Sequence, residues 1–452
     1  MLYYKQIVTV KIHYLLLWKV YMESIQVKAP FNMPLIKVPD FSGSVEFNIA
    51  NLGAEPGNKF KNNQAITSAI ELASAVNGTV LIPTGEWLCG KIHLKSNLNL
   101  HLAKGATLLF SEDPNDYLPP VHTTWEGMEC YNYSPLIYAY ECENIAITGL
   151  GKLKAKLDVW EIWYARPDPH MQALAKLYHQ AAKNEPVNER QMVFDGANLR
   201  PHFVQFNRCK HILIEDIEIE DSPFWVLHPY LCQDVVIRRV KVKAHGHNND
   251  GVDPEMTQNM LIEDCIFDQG DDAIAIKAGR NQDAWRLSTP TKNLVMRNCL
   301  IKRAHQLVAL GSELSGGIEN VYIHDCEFED GTQYTVGTGN VVLLKTNERR
   351  GGFVRNIYVS NIKVKAVKGG ALAIETDVLY QWKDLVPTYE VRLTEIDNIQ
   401  LNNIHIEDAD FICKIEGQAE KPVTNIKLNQ VSASRLTMQP VTNTNVSGFE
   451  YN

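Results

Sequence analysis

The sequence predicts an all-β fold, a single-stranded right-handed parallel β-helix in which one chain winds as a solenoid of short strands. Three observations support this prediction. A short motif recurs along most of the chain, its apolar residues alternate with period two, and no long helical pattern separates the copies. Strands joined without helices cannot form βαβ units, and so short a unit buries its apolar face only by stacking on its neighbours.

The repeated motif is an Asn, then alternating apolar residues, then a small residue, and each copy is predicted to be one strand of a coil. Successive copies start 23 to 42 residues apart, as expected for coils of unequal loop length. The copies begin at Asn259, Asn293, Asn320, Asn356, Asn398 and Asn425, with earlier ones at His211 and Asp234 and a weaker one at Asn144.

Two residue types are expected to stack along the solenoid. Cys265, Cys299 and Cys326 hold the same place in their repeats, so they should lie inside as small apolar residues. The leading Asn residues should form a ladder along one turn. The nine Cys include no Cys-x-x-Cys pair, which removes zinc and thioredoxin-like interpretations.

The remaining elements close and interrupt the solenoid. Residues 63–75 are amphipathic at helical spacing and are predicted to cap the first coil, whose edge would otherwise be exposed. Residues 158–191 carry Trp160, Leu174 and Leu177 and predict a helical insertion. The sequence therefore predicts one domain over residues 41–452, although a length of 452 residues gives a prior of about three.

Residues 1–40 are predicted to be an N-terminal extension or a degenerate targeting segment. Lysines 5, 11 and 19 interrupt the apolar patches near the start, and no small-residue cleavage site follows. No run of about 18 apolar residues occurs, so no membrane span is expected. The net charge of −9 argues against nucleic acid as a partner, because nucleic-acid binders show a basic excess or stripe.

The spacing of the repeats also brings polar residues together. Asp271 lies 12 residues after Asn259, and His305 lies 12 residues after Asn293. If the coils stack in register, Asp271, Asp272 and His305 are neighbours on adjacent coils, about 4.8 Å apart along the axis. Asp250, on the preceding coil, falls in the same region, and Lys277 and Lys345 fall on the same side two coils apart.

Each of these residues alone has an ordinary explanation, since Asp beside Gly often makes a turn and a single Lys is often a surface cation. Their common phase raises the group above that alternative. Clustered carboxylates repel, so at least one should keep its proton near neutral pH. Glycoside hydrolysis needs this condition: one carboxylic acid protonates the leaving oxygen while a carboxylate activates water.

These blocks resemble glycoside hydrolase family 28, the polygalacturonase family of pectin-degrading enzymes. Residues 248–253, Asn-Asn-Asp-Gly-Val-Asp, are similar to the Asn-Thr-Asp block of the family, and residues 269–277 match its Gly-Asp-Asp block. Residues 304–306 stand at its Gly-His-Gly block, followed by Gly-Ser-Glu-Leu-Ser-Gly-Gly at 311–317. The resemblance extends from about Phe47 to the last repeat.

The resemblance implies roles for the shared residues. Asp271 would be the general acid, Asp250 and Asp272 would hold and activate water, and His305 would tune the protonation of the acid. The reaction would be a single displacement with inversion, without a metal or other cofactor. Inverting enzymes usually separate their carboxyl groups by about 6.5–9.5 Å, more than the coil spacing of about 4.8 Å.

One block departs from the family. Its Arg-Ile-Lys, which grips substrate carboxylates, reads Leu343-Leu344-Lys345 here. A Lys does not replace the bidentate Arg fork, so either another cation compensates or the subsite holds a different sugar, such as rhamnose. We expect the substrate-binding side chains to lie beside the acidic cluster and to make a positive furrow on an otherwise negative surface; they are Asn248, Lys277, Arg280, Lys345 and Arg350, with Arg349 as a further candidate.

The leading interpretation is an inverting, exo-acting galacturonidase or polygalacturonase whose partner is a pectic oligo- or polysaccharide, in the periplasm or secreted. A rhamnogalacturonan hydrolase is the alternative within hydrolases. Outside them stand a pectate-lyase-like β-helix, in which Asp250, Asp253 and Asp271 would hold calcium, and a non-catalytic β-helix that binds sugar. Oligomeric state is left open.

Overall fold

The computed structural model describes residues 21–162, 165–332, 339–378 and 390–452. Its helices are α1 (Lys59–Val76), α2 (Asp168–Ala182) and α3 (Asn281–Leu287), with 3₁₀ turns at Ile49–Leu52, Pro114–Tyr117, Asp158–Trp160 and Val187–Glu189. Across these ranges, no helix combines the length and the apolar character that a membrane crossing needs.

Strands make up most of the remainder. The first half of the chain holds β1 (Tyr21–Ile25), β2 (Ile36–Asp40), β3 (Glu46–Asn48), β4 (Thr79–Ile82), β5 (Gly85–Cys89), β6 (Ile92–His93), β7 (Leu98–Leu102), β8 (Ala106–Phe110), β9 (Val121–Trp125), β10 (Met128–Asn132), β11 (Ile137–Tyr140), β12 (Glu143–Gly149), β13 (Lys152–Ala155), β14 (Val204–Asn207), β15 (Lys210–Glu215), β16 (Glu218–Glu220) and β17 (Leu227–Tyr230). The second half holds β18 (Gln233–Arg238), β19 (Lys241–Ala244), β20 (Gln258–Glu263), β21 (Ile266–Gln269), β22 (Ile274–Ile276), β23 (Thr291–Arg297), β24 (Leu300–Arg303), β25 (Gln306–Gly311), β26 (Ile318–Gly331), β27 (Asn340–Lys345), β28 (Phe353–Val367), β29 (Leu372–Glu375), β30 (Glu395–Ala409), β31 (Cys413–Glu416), β32 (Val423–Leu436), β33 (Val441–Thr444) and β34 (Val446–Tyr451).

The strands stack in parallel on three faces of a β-helix, as the repeats predict. The first face runs from β3 and β4 through β7, β12, β15, β18, β20 and β23 to β26, β28, β30, β32 and β34. The second face starts at β5 and β8, passes through β13, β16, β19, β21 and β24, and joins the later halves of β26 to β32.

The third face has two stretches, β6-β11-β14-β17 and β22-β25-β27-β29-β31-β33. Between them the chain passes close enough for single bridges only, where Val252 pairs with Leu227 on one side and Ile274 on the other. The break leaves an irregular coil, residues 246–257, in the middle of this face. Polar side chains from that coil and its neighbours form the site described below.

Both predicted stacks are confirmed. Amide groups of the leading Asn residues bond from coil to coil, with Asn293 donating to Asn259 at 3.0 Å and Asn320 donating to Asn293 at 3.0 Å. These Asn residues have positive φ, a conformation that Asn tolerates better than most residues. The stacked cysteines at 265, 299 and 326 are buried in the core between the faces.

Helix α1 covers the first coil, which confirms the predicted cap, and α2 lies inside the predicted insertion. The chain before the first coil forms an arm not foreseen from the sequence. Strands β1 and β2 pair antiparallel, and the arm buries Ile36 and Val38 on the outer side of the first face. The residues beneath them, Ala146, Leu213, Val236, Leu261 and Val295, point outward yet are apolar.

Candidate active site

The four predicted acid–base residues meet on the third face. The pairing of Val252 with Ile274 and of Ile274 with Val308 aligns the three coils. As a result, His305 N donates to the Asp271 carbonyl at 2.9 Å, and Gly251 N donates to the Asp272 carbonyl at 3.0 Å. The register predicted from the repeats is therefore correct, and one patch of the face carries side chains from three coils.

The loop before Asp250 is held by two side chains. Asn249 donates to the Ser222 and Phe224 carbonyls at 2.9 and 3.0 Å and accepts from Gly246 N at 2.7 Å. Arg200, also buried, donates to the Asn248 Oδ1 at 2.8 Å. The loop is thereby fixed by buried hydrogen bonds rather than by a strand ladder, which leaves its side chains free of the sheet pattern.

Asp271 and His305 form an ion pair, with His305 Nδ1 3.1 Å from Asp271 Oδ1. Burial works to raise the pKa of Asp271, but the charge and hydrogen bond of His305, helped by Lys345, outweigh it and hold that pKa below its ordinary value. For His305, burial opposes the charged form and the Asp271 carboxylate overcomes it, so the pKa of His305 is raised. In the free enzyme His305 therefore carries the proton of the pair and Asp271 is ionised.

Asp272 pairs with a different cation, Lys345. Lys345 Nζ lies 3.3 Å from Asp272 Oδ2. Burial is the main cause that raises the pKa of Asp272, with the Asp271 charge adding to it and Lys345 opposing it. Lys277 and Lys345 stand on the same side two coils apart, with Gly311 between them in the register, as predicted.

Asp250 is the carboxyl group whose protonation is poised near neutrality. It is buried, and burial together with the Asp271 charge raises the pKa of Asp250 to about 7, against the opposing effect of Lys277. Lys277 Nζ lies 3.7 Å from Asp250 Oδ2, 3.6 Å from Asp253 Oδ1 and 3.4 Å from Glu313 Oε2. The Lys277 ammonium thus stands among three carboxyl groups and rests 4.5 Å from the Trp225 ring centre.

Glu313 is the hub of a buried ion network beneath these residues. Its carboxylate pairs with Lys277 and Arg280 and lies 4.0 Å from Arg350. Burial alone would raise the pKa of Glu313, but the three cations hold it well below its usual range. Three of the predicted substrate-binding cations, Lys277, Arg280 and Arg350, are therefore buried and engaged with protein carboxylates.

Chain from far away in sequence packs against Arg280. The hairpin of β9 and β10 turns at Glu126 and Gly127, and Glu126 Oε2 lies 3.1 Å from Arg280 Nη2. Gly127 has φ +81°, and a Cβ there would stand 2.8 Å from Arg280 N, so only glycine fits the contact. Tyr178 of α2 accepts a hydrogen bond from Arg280. The β9–β10 hairpin and the helical insertion therefore both contact the guanidinium group of Arg280.

Behind the hairpin runs a chain of fully buried polar groups. Thr123 donates to Gln205 Oε1 at 2.7 Å, Gln205 Nε2 bonds to His228 Nδ1 at 3.0 Å, and His228 Nε2 bonds to Glu255 Oε2 at 2.9 Å. Since the Gln205 amide nitrogen only donates, His228 Nδ1 accepts and its Nε2 carries the proton. Burial and the Glu313 charge raise the pKa of Glu255 to about 8.

Among the described residues, Asp271, Asp272 and His305 are the group whose ligand atoms, all within 4.8 Å of one another, could hold a metal ion. Cationic groups of the protein already lie against the two carboxyl groups, since His305 pairs with Asp271 and Lys345 pairs with Asp272. The set is an acid–base cluster with its own positive charge.

The structure thus brings together Asp250, Asp271, Asp272, His305, Lys277 and Lys345, and links Arg280 and Arg350 to them through Glu313. Asn248 is bonded to Arg200, and Arg349 has a backbone hydrogen bond to Asn347. Sequence reasoning missed the roles of Glu313, Glu126 and Arg200. Glu313 stands within the Gly-Ser-Glu block at 311–313, whose carboxylate was a usable signal. Glu126 contacts Arg280 across 154 residues, and no pattern in the sequence marks that contact.

A parallel β-helix that carries several carboxyl groups and a His on one face has the acid–base groups that glycoside hydrolysis needs. Comparison with known proteins gives the family: the chain belongs to glycosyl hydrolases family 28, whose model matches residues 188–448. It is a glycosidase.

Three relatives illustrate the likeness. An exopolygalacturonase from Thermotoga maritima is 33% identical with a TM-score of 0.78, and the match covers 93% of this chain and 94% of that one. A probable polygalacturonase of Vitis vinifera is 26% identical over 85% of this chain and 73% of that protein. An exo-poly-alpha-D-galacturonosidase of Dickeya chrysanthemi is 27% identical over 61% of this chain and 48% of that protein.

Proposed function

We propose that this enzyme hydrolyses galacturonic-acid linkages of pectic polysaccharides or oligosaccharides from one end of the chain. The observation that carries the proposal is the group formed by Asp250, Asp271 and Asp272 on adjacent coils, with His305 paired to Asp271. Similarity to polygalacturonases, two of them exo-acting by name, supports the substrate class.

Asp271 is the proposed general acid. His305 would pass its proton to Asp271 when a substrate covers the pair, Asp271 would give it to the leaving glycosidic oxygen, and His305 would be protonated again from solvent. Burial, which excludes water from the pair, favours the neutral form of Asp271 once a substrate covers it. His305 is thus the proposed group that tunes the protonation of the acid.

Asp250 and Asp272 are the proposed pair that holds and activates the attacking water. Both are buried, and each has a cation at hand, Lys277 at 3.7 Å and Lys345 at 3.3 Å, to stabilise its ionised form. Since the pair is proposed to hold a water rather than to attack the sugar itself, we propose a single displacement with inversion at the anomeric carbon, as the family resemblance implies, and no metal or other cofactor.

Among the predicted binding cations, Lys345 is the side chain with the most access to the pocket, and we propose that it meets a sugar carboxylate together with Asn248 at the rim. Lys277, Arg280 and Arg350 are paired with protein carboxylates, so they offset the acidic charge beneath the site rather than contact the sugar. The net charge of −9 is compatible with this, because the surface average does not set the local potential.

Action from a chain end is proposed from two relatives and from the chain that packs on Arg280. The Glu126–Gly127 turn and Tyr178 of α2 both contact Arg280. We propose that they bound the site on that side, so that galacturonan enters with one terminus against the hairpin. The exopolygalacturonase and the exo-poly-alpha-D-galacturonosidase among the relatives support this proposal.

A rhamnogalacturonan substrate is a second candidate, and one observation favours it. Leu343, where the family has an Arg, packs with Ala373 and Phe411 in a small apolar cluster on successive coils. An apolar surface suits the methyl group of a 6-deoxy sugar better than a carboxylate.

We also propose one catalytic domain over residues 41–452, preceded by an N-terminal extension that includes the arm at 21–40, and a periplasmic or secreted location in line with a pectic substrate. The part of the extension before residue 21, where the possible targeting segment was placed, lies outside the described residues.

The test is a comparison of homogalacturonan and rhamnogalacturonan oligosaccharides as substrates, with sizing of the products. Release of single or paired galacturonic acid units from homogalacturonan supports the proposal, and Asp271→Asn should remove that activity by at least about 10²-fold. Asp408→Asn, an exposed residue far along the last coils, is the matched control and should change nothing. Full activity of Asp271→Asn would overturn the assigned acid.

A further inference from the structure

Asp253 is a buried carboxyl group to which the proposed reaction gives no role. It is completely buried, and neither of its oxygens receives an N–H or O–H hydrogen bond from any described residue. Lys277, at 3.6 Å from Asp253 Oδ1, is beyond hydrogen-bond distance. An ionised carboxylate in such a place would lack the donors that buried charges require.

The balance of charges around Asp253 also indicates that it is not ionised. Asp250 and Asp253 share one ammonium group, Lys277, at 3.7 and 3.6 Å. Lys277 also serves Glu313, although that carboxylate has Arg280 as a further partner. One positive charge compensates one negative charge, and a second unpaired buried charge costs several kcal/mol. The pair Asp250 and Asp253 is therefore stable with one proton between them.

We propose that Asp253 is a positioning residue that holds this proton and donates it in a hydrogen bond to the Asp250 carboxylate. The inference rests on the proposed role of Asp250 in activating water. Both carboxyl groups lie against the same Lys277 ammonium, at 3.7 and 3.6 Å, and a side-chain hydrogen bond between them affects the pKa of each. Asp253 is the deeper of the two, with a side chain that is 0% exposed against 5% for Asp250, so the proton belongs on Asp253 and the charge on the side chain that faces the pocket.

The groups that face Asp253 agree with this assignment. Asp250, Asp272 and Lys277 surround it, and His228 holds the same register position on the coil before. Burial first and then the Asp250 charge raise the pKa of Asp253 well above its ordinary value. His228 adds no charge, because burial and Lys277 lower its pKa well below the usual range.

The hydrogen bond would do two things for the reaction. It would fix the Asp250 carboxylate at one oxygen, so that the other oxygen is directed at the water. It would also favour the ionised form of Asp250, since a donor bonded to a carboxylate lowers the pKa of that group. Asp253 would thus keep Asp250 usable as a base despite its burial.

Two variants of Asp253 separate this role from packing. Asp253→Asn keeps the shape, cannot ionise, and retains an N–H donor toward Asp250, so it imitates the protonated acid. Asp253→Leu fills similar space without a donor. We expect Asp253→Asn to retain kcat/KM within about tenfold and to keep the low-pH limb of its profile in place. Asp253→Leu should lose more than about tenfold and show that limb at higher pH, because Asp250 is then harder to ionise.

A spectroscopic measurement on the full chain reads the proton directly. The infrared spectrum at neutral pH should contain a carboxylic-acid carbonyl band that Asp253→Asn removes. Asp408→Asn, which removes an exposed carboxylate paired with Arg435, should leave that band unchanged. Circular dichroism shows whether each variant is folded.

The outcomes are distinct. If Asp253→Asn is impaired as strongly as Asp253→Leu, or if it removes no carboxylic-acid band, Asp253 is ionised and the proposal is wrong. If the wild-type chain cleaves no galacturonan, the proposed function fails instead, and the infrared band still decides the protonation of Asp253.

Discussion

Lys277 is the residue whose removal should change the reaction most predictably. Its ammonium lies 3.7 Å from the Asp250 carboxylate, and at an effective dielectric constant of about 20 such a pair is worth about 4.5 kcal/mol. Since 1.36 kcal/mol corresponds to one pH unit, complete loss would raise the pKa of Asp250 by about three pH units. Relaxation of Asp253 and Glu313 will reduce this increase, so we expect Lys277→Met to raise the pKa of Asp250 by at least about one pH unit.

The direction in which the pH profile should move follows from the proposed role of Asp250 as a base. A base must be ionised, and burial already raises the pKa of Asp250 to about 7. In Lys277→Met the low-pH limb of kcat/KM should therefore move upward, and activity near pH 6 should fall by about tenfold or more. The assay is kcat/KM on oligogalacturonides across pH, measured with folded protein.

A matched control is Lys363→Met, which removes the same charge from a side chain that is 83% exposed and 3.6 Å from Glu327. It should leave the pH profile unchanged. A low-pH limb that stays in place in Lys277→Met, or that moves downward, would refute the electrostatic reasoning for Asp250.

Two further predictions concern stability. Glu313→Gln should lower the free energy of unfolding by about 3–5 kcal/mol in denaturant titrations, because it leaves buried cations without their shared carboxylate; a loss below about 1 kcal/mol would show that the network is not needed. Val236→Asp places a charge beneath the N-terminal arm and should lower the free energy of unfolding by several kcal/mol. Gln400→Asp changes the corresponding outward position on a coil beyond the arm and should alter that free energy by no more than about 0.5 kcal/mol. Equal effects of the last two would mean that the arm does not cover the sheet.

The solenoid could be predicted because its information is local. Each repeat carries its own Asn and its own alternation, so Asn293 and Asn320 identify their coils without knowledge of the rest of the chain. The same regularity fixed the register, and the register alone placed Asp271 beside His305. Where the fold repeats, position in the sequence translates directly into position along the axis.

The arm was predictable only in part. Leu213, Val236 and Leu261 interrupt the alternation with an apolar residue at a position that later coils fill with Gln400 or Lys427. That difference indicates that something covers the earlier coils, but it does not say what. The covering segment lies more than a hundred residues away from them, in a stretch that has no repeat of its own.

The packing of the β9–β10 hairpin on Arg280 and the buried ion network could not be predicted either, because they too join segments that are distant in sequence. Glu126 reaches Arg280 through a hairpin, and Arg200 reaches Asn248 across 48 residues. Such contacts depend on the path of irregular loops, which no period encodes. The cations that looked like open groove residues are buried because Glu313, on the next coil of the third face, compensates their charge.

End-directed, inverting hydrolysis is best tested on a defined oligogalacturonide, with the first products of the wild-type enzyme sized by chromatography and followed by NMR at the anomeric proton. We expect short units released from one end, each formed initially with inverted anomeric configuration. A mixture of internal fragments from the outset, retained configuration, or an unsaturated product would show that the enzyme works in another way.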